Sequence, residues 1–185
     1  NNFDKAKIKY FLISFFILNN GVVSIFAFAS LFASFLYNFY ETEILLLGIF
    51  INLSGIIGCI IFGIYENILG VERNIFISIL GLTFLSLILL FVDSKINFWI
   101  IAMSIGFFIG PIQACSRSLL VEKLNLSDQI GAFSLFSMLG NVCAILGPFL
   151  VGYVIDVFTS IKAGLFIIPL FFLLSIVPFW RKFNV

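Results

Sequence analysis

Ile44–Tyr65 reads ILLLGIFINLSGIIGCIIFGIY, twenty-two residues without a charge. At a helical rise of about 1.5 Å per residue this run is long enough to cross a hydrocarbon core of about 30 Å. A strand of a closed transmembrane barrel would show about ten residues alternating polar and apolar, and this stretch is apolar on every face. A helix satisfies its own backbone groups, which is what a lipid environment demands.

Working outward, the charged residues mark off five more such runs: Tyr10–Tyr40, Asn74–Val92, Ile96–Ser116, Gln129–Ile155 and Ala163–Trp180, of 31, 19, 21, 27 and 18 residues. The 185 residues are 62% hydrophobic and 10% charged, with a mean hydropathy of +1.23, against about 25% charged in soluble domains. The expected fold is an all-α transmembrane bundle of six helices over residues 10–180, with spans at about 10–37, 44–65, 74–92, 97–120, 129–155 and 163–180. The connections are expected at Glu41–Glu43, Glu66–Arg73, Asp93–Lys95, roughly Val121–Asp128, and Asp156–Lys162, too short for an extramembrane domain. Asn1 in place of an initiator Met reads as the start of a piece of a longer chain.

With an even number of spans both chain ends lie on one side. That side collects Lys5, Lys7, Lys9, Arg73, Arg117, Lys123, Arg181 and Lys182, leaving Lys95 and Lys162 opposite, so the positive-inside rule puts both ends in the cytoplasm. The expected location is a cell (inner) membrane, or a vacuolar membrane in a eukaryote.

The absence of His removes the commonest metal ligand and general base. Cys59, Cys115 and Cys143 all fall inside spans without C-x-x-C spacing and read as small packing residues. There is no G-x-S-x-G and no pair of carboxylates within the spans, and no catalytic residue, metal site or cofactor is expected. Nor does any feature call for nucleic acid. A membrane-embedded enzyme is thus the weakest of three functional readings, behind a transporter and a non-transporting helical scaffold.

The larger polar side chains inside the spans are Asn19 and Asn20 in the first, Asn52 in the second, Gln113 and Arg117 in the fourth and Asn141 in the fifth. The third and sixth spans carry Ser78, Thr83, Ser86 and Ser175, and read as lipid-facing. That unevenness is what a 3+3 inverted repeat produces when its first helices line a cavity. Gly106, Gly110 and Ala114 form a small-residue stripe on the fourth span, Gly140 and Ala144 a shorter one on the fifth, and Gly48, Gly55, Gly58 and Gly63 thin the second, the spacing that lets helices in lipid approach closely.

Gly63-Ile-Tyr-Glu-Asn67-Ile-Leu-Gly70-Val-Glu-Arg73 resembles the loop of the major facilitator superfamily with the pattern G-x-x-x-D-[RK]-x-G-x-[RK]-[RK]; Gly63, Gly70 and Arg73 match, and Asn67 stands where that family has Asp. Gly110-Pro-Ile-Gln113-Ala-Cys-Ser116-Arg117-Ser118, and Asn141-Val-Cys-Ala144-Ile-Leu-Gly147-Pro148, are similar to the G-x-x-Q-x-x-S-R-S and K-x-x-A-x-x-G-P stretches of its vacuole-effluxer, or autophagy-related permease, branch. Asn19-Asn20-Gly21 resembles the N-D-G of that branch's seventh helix. Asn20 replaces the branch's Asp, and Asn141 its Lys. The resemblance implies a twelve-helix transporter of which this chain is the second half, with residues 1–9 ending the linker between halves and 181–185 a cytoplasmic tail.

The implied partners are the bilayer, an N-terminal six-helix half of the same protein, and a small solute, such as an amino acid or related metabolite, moved by alternating access. Asn19, Asn20, Ser24, Gln113 and Asn141 are the candidates for the substrate cavity, since Asn20 and Asn141 fall near mid-membrane by residue count. Arg117, four residues from Gln113 and near the cytoplasmic end of its helix, is the candidate gate, with Glu122 or Asp128 as carboxylate partners. Every acid lies at a span edge, so ion coupling, if there is any, is expected in the other half.

Overall fold

The computed structural model describes residues 2–184, and side chains over 7–125 and 128–181; Asn1, Val185 and the side chains of Lys5 and Lys182 counted above lie outside the described residues. Six helices follow one another: α1 (Asn2–Tyr37), α2 (Glu41–Leu69), α3 (Val71–Leu89), α4 (Lys95–Lys123), α5 (Leu126–Phe158) and α6 (Ile161–Asn184). All six contain a segment long and apolar enough to cross a membrane, and no strand occurs among the described residues.

Most of the helices outrun the expected spans at one or both ends. Charges stop a hydrophobic run but not a helix, because long charged side chains at a span edge reach the interface while the backbone keeps its ladder. The connection expected over Glu66–Arg73 is therefore Gly70 alone, and that over Val121–Asp128 is Leu124 and Asn125. Gly70 has φ 82° and ψ 153°, a region that is essentially closed to residues with a Cβ, and its N–H donates to the Glu66 carbonyl at 2.9 Å. Gly70→Ala is expected to cost about 1 to 3 kcal/mol through backbone strain alone, since nothing lies within 4 Å of the added methyl. A thermal melt of the purified full-length protein in detergent measures it.

Between α1 and α2 the chain turns at Asn38, whose φ of 54° is the left-handed conformation that Asn tolerates. Glu43 then caps α2 by accepting from the Tyr40 N–H at 2.8 Å, and its carboxylate also binds Lys95 at the start of α4. The Lys95 ammonium lies 4.8 Å from the Phe39 ring centre and 5.4 Å from that of Tyr40. Lys162 pairs with Asp93 at the same end of the bundle.

The packing has an internal two-fold pattern. α1 lies against α5 and α6 as α4 lies against α2 and α3, and α3 meets α6; exchanging the first triplet of helices for the second maps these pairs onto themselves. With three helices per unit the second triplet starts from the opposite side, which makes the repeat an inverted one.

Within this chain the least buried members of the repeat are α2 and α5. Half of the most apolar window of α1 and of α4 is buried, 44% of that of α3 and 39% of that of α6, but only 17% for α2 and α5. α3 buries Asn74, Ser78, Thr83 and Ser86. Its hydroxyls return to carbonyls of their own helix, Ser78 to Asn74 at 2.9 Å and Thr83 to Ile79 at 2.7 Å, so they pack like apolar groups. The Asn74 amide reaches across to the Phe62 carbonyl of α2 at 3.0 Å. α2 and α5 instead present long exposed faces.

Candidate functional site

Two seams hold the inner helices together, and the polar cluster lies in one of them. Along the α2–α4 seam the contact is backbone on backbone: a Cβ on Gly106 would stand 2.5 Å from the Ile51 carbonyl oxygen, one on Gly110 would strike the Gly55 carbonyl, and one on Gly58 that of Phe107. Ser54 donates to the Met103 carbonyl at 2.8 Å across the same seam. Gly48, Gly63 and Gly140, also singled out by spacing, have open space where a side chain would go.

The equivalent seam between α1 and α5 closes on Gly147, where a Cβ would lie 2.6 Å from the Asn20 carbonyl oxygen and 2.8 Å from Ser24 Oγ. Ser24 donates to that same Asn20 carbonyl at 2.7 Å, and the Phe15 and Phe136 rings stack with centres 4.0 Å apart. This close approach sets Asn20 against Cys143. Asn20 Nδ2 donates to the Phe16 carbonyl at 2.7 Å and to Cys143 Sγ at 3.2 Å, and the thiol donates to the Phe16 carbonyl at 3.3 Å. Asn20 Oδ1 is buried without a hydrogen-bond partner.

One residue earlier on α1, Asn19 faces α4, and its Oδ1 accepts from Gln113 Nε2 at 2.9 Å. Asn19, Asn20, Ser24 and Cys143 are all buried, Asn20 to 3% exposure, and Gln113 is half-buried. The cluster therefore joins α1 to α4 on one side and to α5 on the other, well inside all three helices. Its groups are uncharged amides, a hydroxyl and a thiol. Such a set positions a polar ligand by hydrogen bonds and offers an acceptor, Asn20 Oδ1, that the protein leaves unused.

Four of the five cavity candidates are thus brought together. Asn141 is not: it is exposed, and two residues along a helix place it about 200° around the axis from Cys143. It shares an exposed face of α5 with Ser134 and Ser137. Arg117 is exposed on α4, and among the described residues Glu122 pairs with Lys123 at 2.9 Å rather than with Arg117. Of the loop residues, Gly63, Asn67 and Arg73 are exposed on helices flanking Gly70.

Sequence reading passed over Cys143, whose role appears only when α5 is set against α1. It also passed over Glu66, which the longer α2 holds half-buried with its carboxylate 3.8 Å from Cys115 Sγ on α4. Lys123 at the end of α4 approaches Glu72 of α3 at 3.8 Å.

The family model described as "Vacuole effluxer Atg22 like" matches residues 4–182. Two proteins called Autophagy-related protein 22 align over 95% of the chain, one from Pichia angusta at 24% identity and one from Candida glabrata at 28%. The alignments take in 33% and 34% of those proteins, so the chain spans about a third of the length of the curated relatives it matches. That match runs over nearly every residue and over six membrane-length helices, and the chain belongs to the vacuole effluxer Atg22-like family.

Proposed function

We propose that the chain is the C-terminal six-helix half of a vacuole-type transporter that moves a small polar solute by alternating access, with both ends of the chain in the cytoplasm. The observation that carries the reading is the uncharged cluster of Asn19, Asn20, Gln113 and Cys143 deep between α1, α4 and α5, with an acceptor oxygen left unused. Transporters of repeat architecture bind substrate near the midplane, where the repeats meet.

Amides without a fixed charge suit a neutral or zwitterionic solute, and the family's name supports export from a vacuole. Amino acids and related metabolites are the class to try first. Asn141, on the exposed face of α5, faces the other half in this reading and lines the far wall of the same cavity. Arg117 stands on the face of α4 that carries Gln113, one turn toward the chain-end side, where it gates the cavity through a partner in the other half. The weakly buried faces of α2 and α5 are the surfaces on which that half packs.

The test is solute efflux from vesicles carrying the full-length protein. Asn20→Leu is expected to lower the initial rate tenfold or more. Asn52→Leu, which alters an exposed amide bonded to the Gly48 carbonyl of its own helix, is expected to stay within twofold. Wild-type flux from folded Asn20→Leu protein would remove the cluster from the solute's path, and absence of any flux from the intact protein would favour the scaffold reading.

A further inference from the structure

A groove of about 540 Å³ runs along the outside of the bundle between α1, α5 and α6. Tyr10 and Arg181 stand at one end, Asn20 at the other, and between them Ile13, Ile17, Leu174 and Val177 make an aliphatic wall. Ten residues of α1 separate Tyr10 from Asn20, about 15 Å of helix, which is half of a hydrocarbon core of about 30 Å. The groove is therefore as deep as one leaflet. It opens at the level where an aromatic ring and a cation occur together, the headgroup interface on the side of the chain ends.

Its charge is one-sided. Arg181 is exposed, and no carboxylate lines this groove among the described residues. The neighbouring groove between α1 and α5 holds Lys9 and Asp128 together and lacks that bias. An aliphatic channel one leaflet deep, with a guanidinium at its interfacial end, matches a lipid with a negative headgroup. A guanidinium binds phosphate in a two-pronged contact.

We propose that this groove is a binding site for an anionic phospholipid of the leaflet on the chain-end side, with the phosphate on Arg181 and one acyl chain lying along α1 and α6 toward Asn20. Such a site meets the solute cluster only at its inner end, at Asn20, and its occupancy is read without measuring transport.

The full-length protein, reconstituted in phosphatidylcholine vesicles, is irradiated with trace phosphatidylserine or phosphatidylcholine carrying a diazirine in the acyl chain, and the labelled peptides are mapped. Label on the peptides containing Ile13 to Ile17 and Leu174 to Val177 is expected to be about fivefold higher with the serine lipid, the worth of one basic residue at an anionic surface. Arg181→Gln should bring that ratio close to one, and Arg181→Lys should keep most of it. Val177→Trp, which fills the groove, should cut labelling by both lipids at these peptides and leave labelling around Leu80 and Phe84, exposed on α3, unchanged as a check on folding. Equal labelling by the two lipids in the wild type, a preference that survives Arg181→Gln, or undiminished label in Val177→Trp would each overturn the proposal. So would loss of label on adding inorganic phosphate at millimolar concentration, which would assign Arg181 to a free phosphate instead.

Discussion

Gly110→Val is expected to leave little folded protein. Its Cβ alone would overlap the Gly55 carbonyl and come 2.9 Å from Cys59 Sγ, and the obstacle is the backbone of a packed helix, which has no rotamer to change. Overpacking a well-filled interior ordinarily costs about 1 to 3 kcal/mol when side chains can give way. Here α2 and α4 must move apart, and with them the Ser54 to Met103 bond and the contacts at Gly58 and Gly106, so the loss falls at or above the top of that range. The measurement is the monodisperse fraction of the full-length protein on size exclusion at matched expression. Gly63→Val, with nothing within 4 Å of its added Cβ, serves as the control and should elute as wild type. If both variants behave alike, the α2–α4 seam is more yielding than its geometry requires.

The second large effect is expected at the Asn19–Gln113 pair, where removing one amide should be worse for folding than removing both. Asn19→Leu leaves Gln113 Nε2 without its acceptor, and Gln113→Leu leaves Asn19 Oδ1 without its donor; a buried polar group stranded in this way costs about 1 to 3 kcal/mol. The double replacement strands neither, and an interhelical bond in a membrane is worth only about 0.6 to 2 kcal/mol. Thermal stability should therefore recover in the double variant toward wild type. Transport should not, if these amides contact the solute: each single variant and the double variant should fall tenfold or more in efflux rate. A double variant that regains both stability and flux would make the pair a fastener between α1 and α4 and nothing more.

The number and order of the helices were legible because charge is expensive in lipid and its positions punctuate the chain. Helix ends were less so. Glu66 and Arg117 end apolar runs but sit inside helices, so the chain turns later than the charges suggest. Faces were the least legible. Counting polar residues missed that α3 and α6 each have a buried side: Ser78 and Thr83 bond to their own helix and Ser14 on α1 donates to the Ser175 carbonyl of α6 at 2.7 Å, so small hydroxyls there accompany close packing.

The candidate site shows the same division. Asn19 and Asn20 were visible as amides in an apolar run, and the pairing of Asn19 with Gln113 needed only two helices side by side. Asn141 lies on the other side of α5 from Cys143, away from the cluster, a distinction that depends on how α5 is rotated against α1 through Gly147. Cys143 had the right angle but a side chain that reads as apolar. Chemistry along the chain was informative, and direction around each axis had to come from the packing.

The single residue that joins α2 to α3 bears on how the chain can be probed. A peptide unit spans at most about 3.6 Å, so with Gly70 as the whole connection the last turn of one helix and the first turn of the next cannot part by more than a few ångströms. The two helix ends share one corner of the bundle, and an epitope or a protease site spliced in there would change the very turn whose side of the membrane it was meant to report.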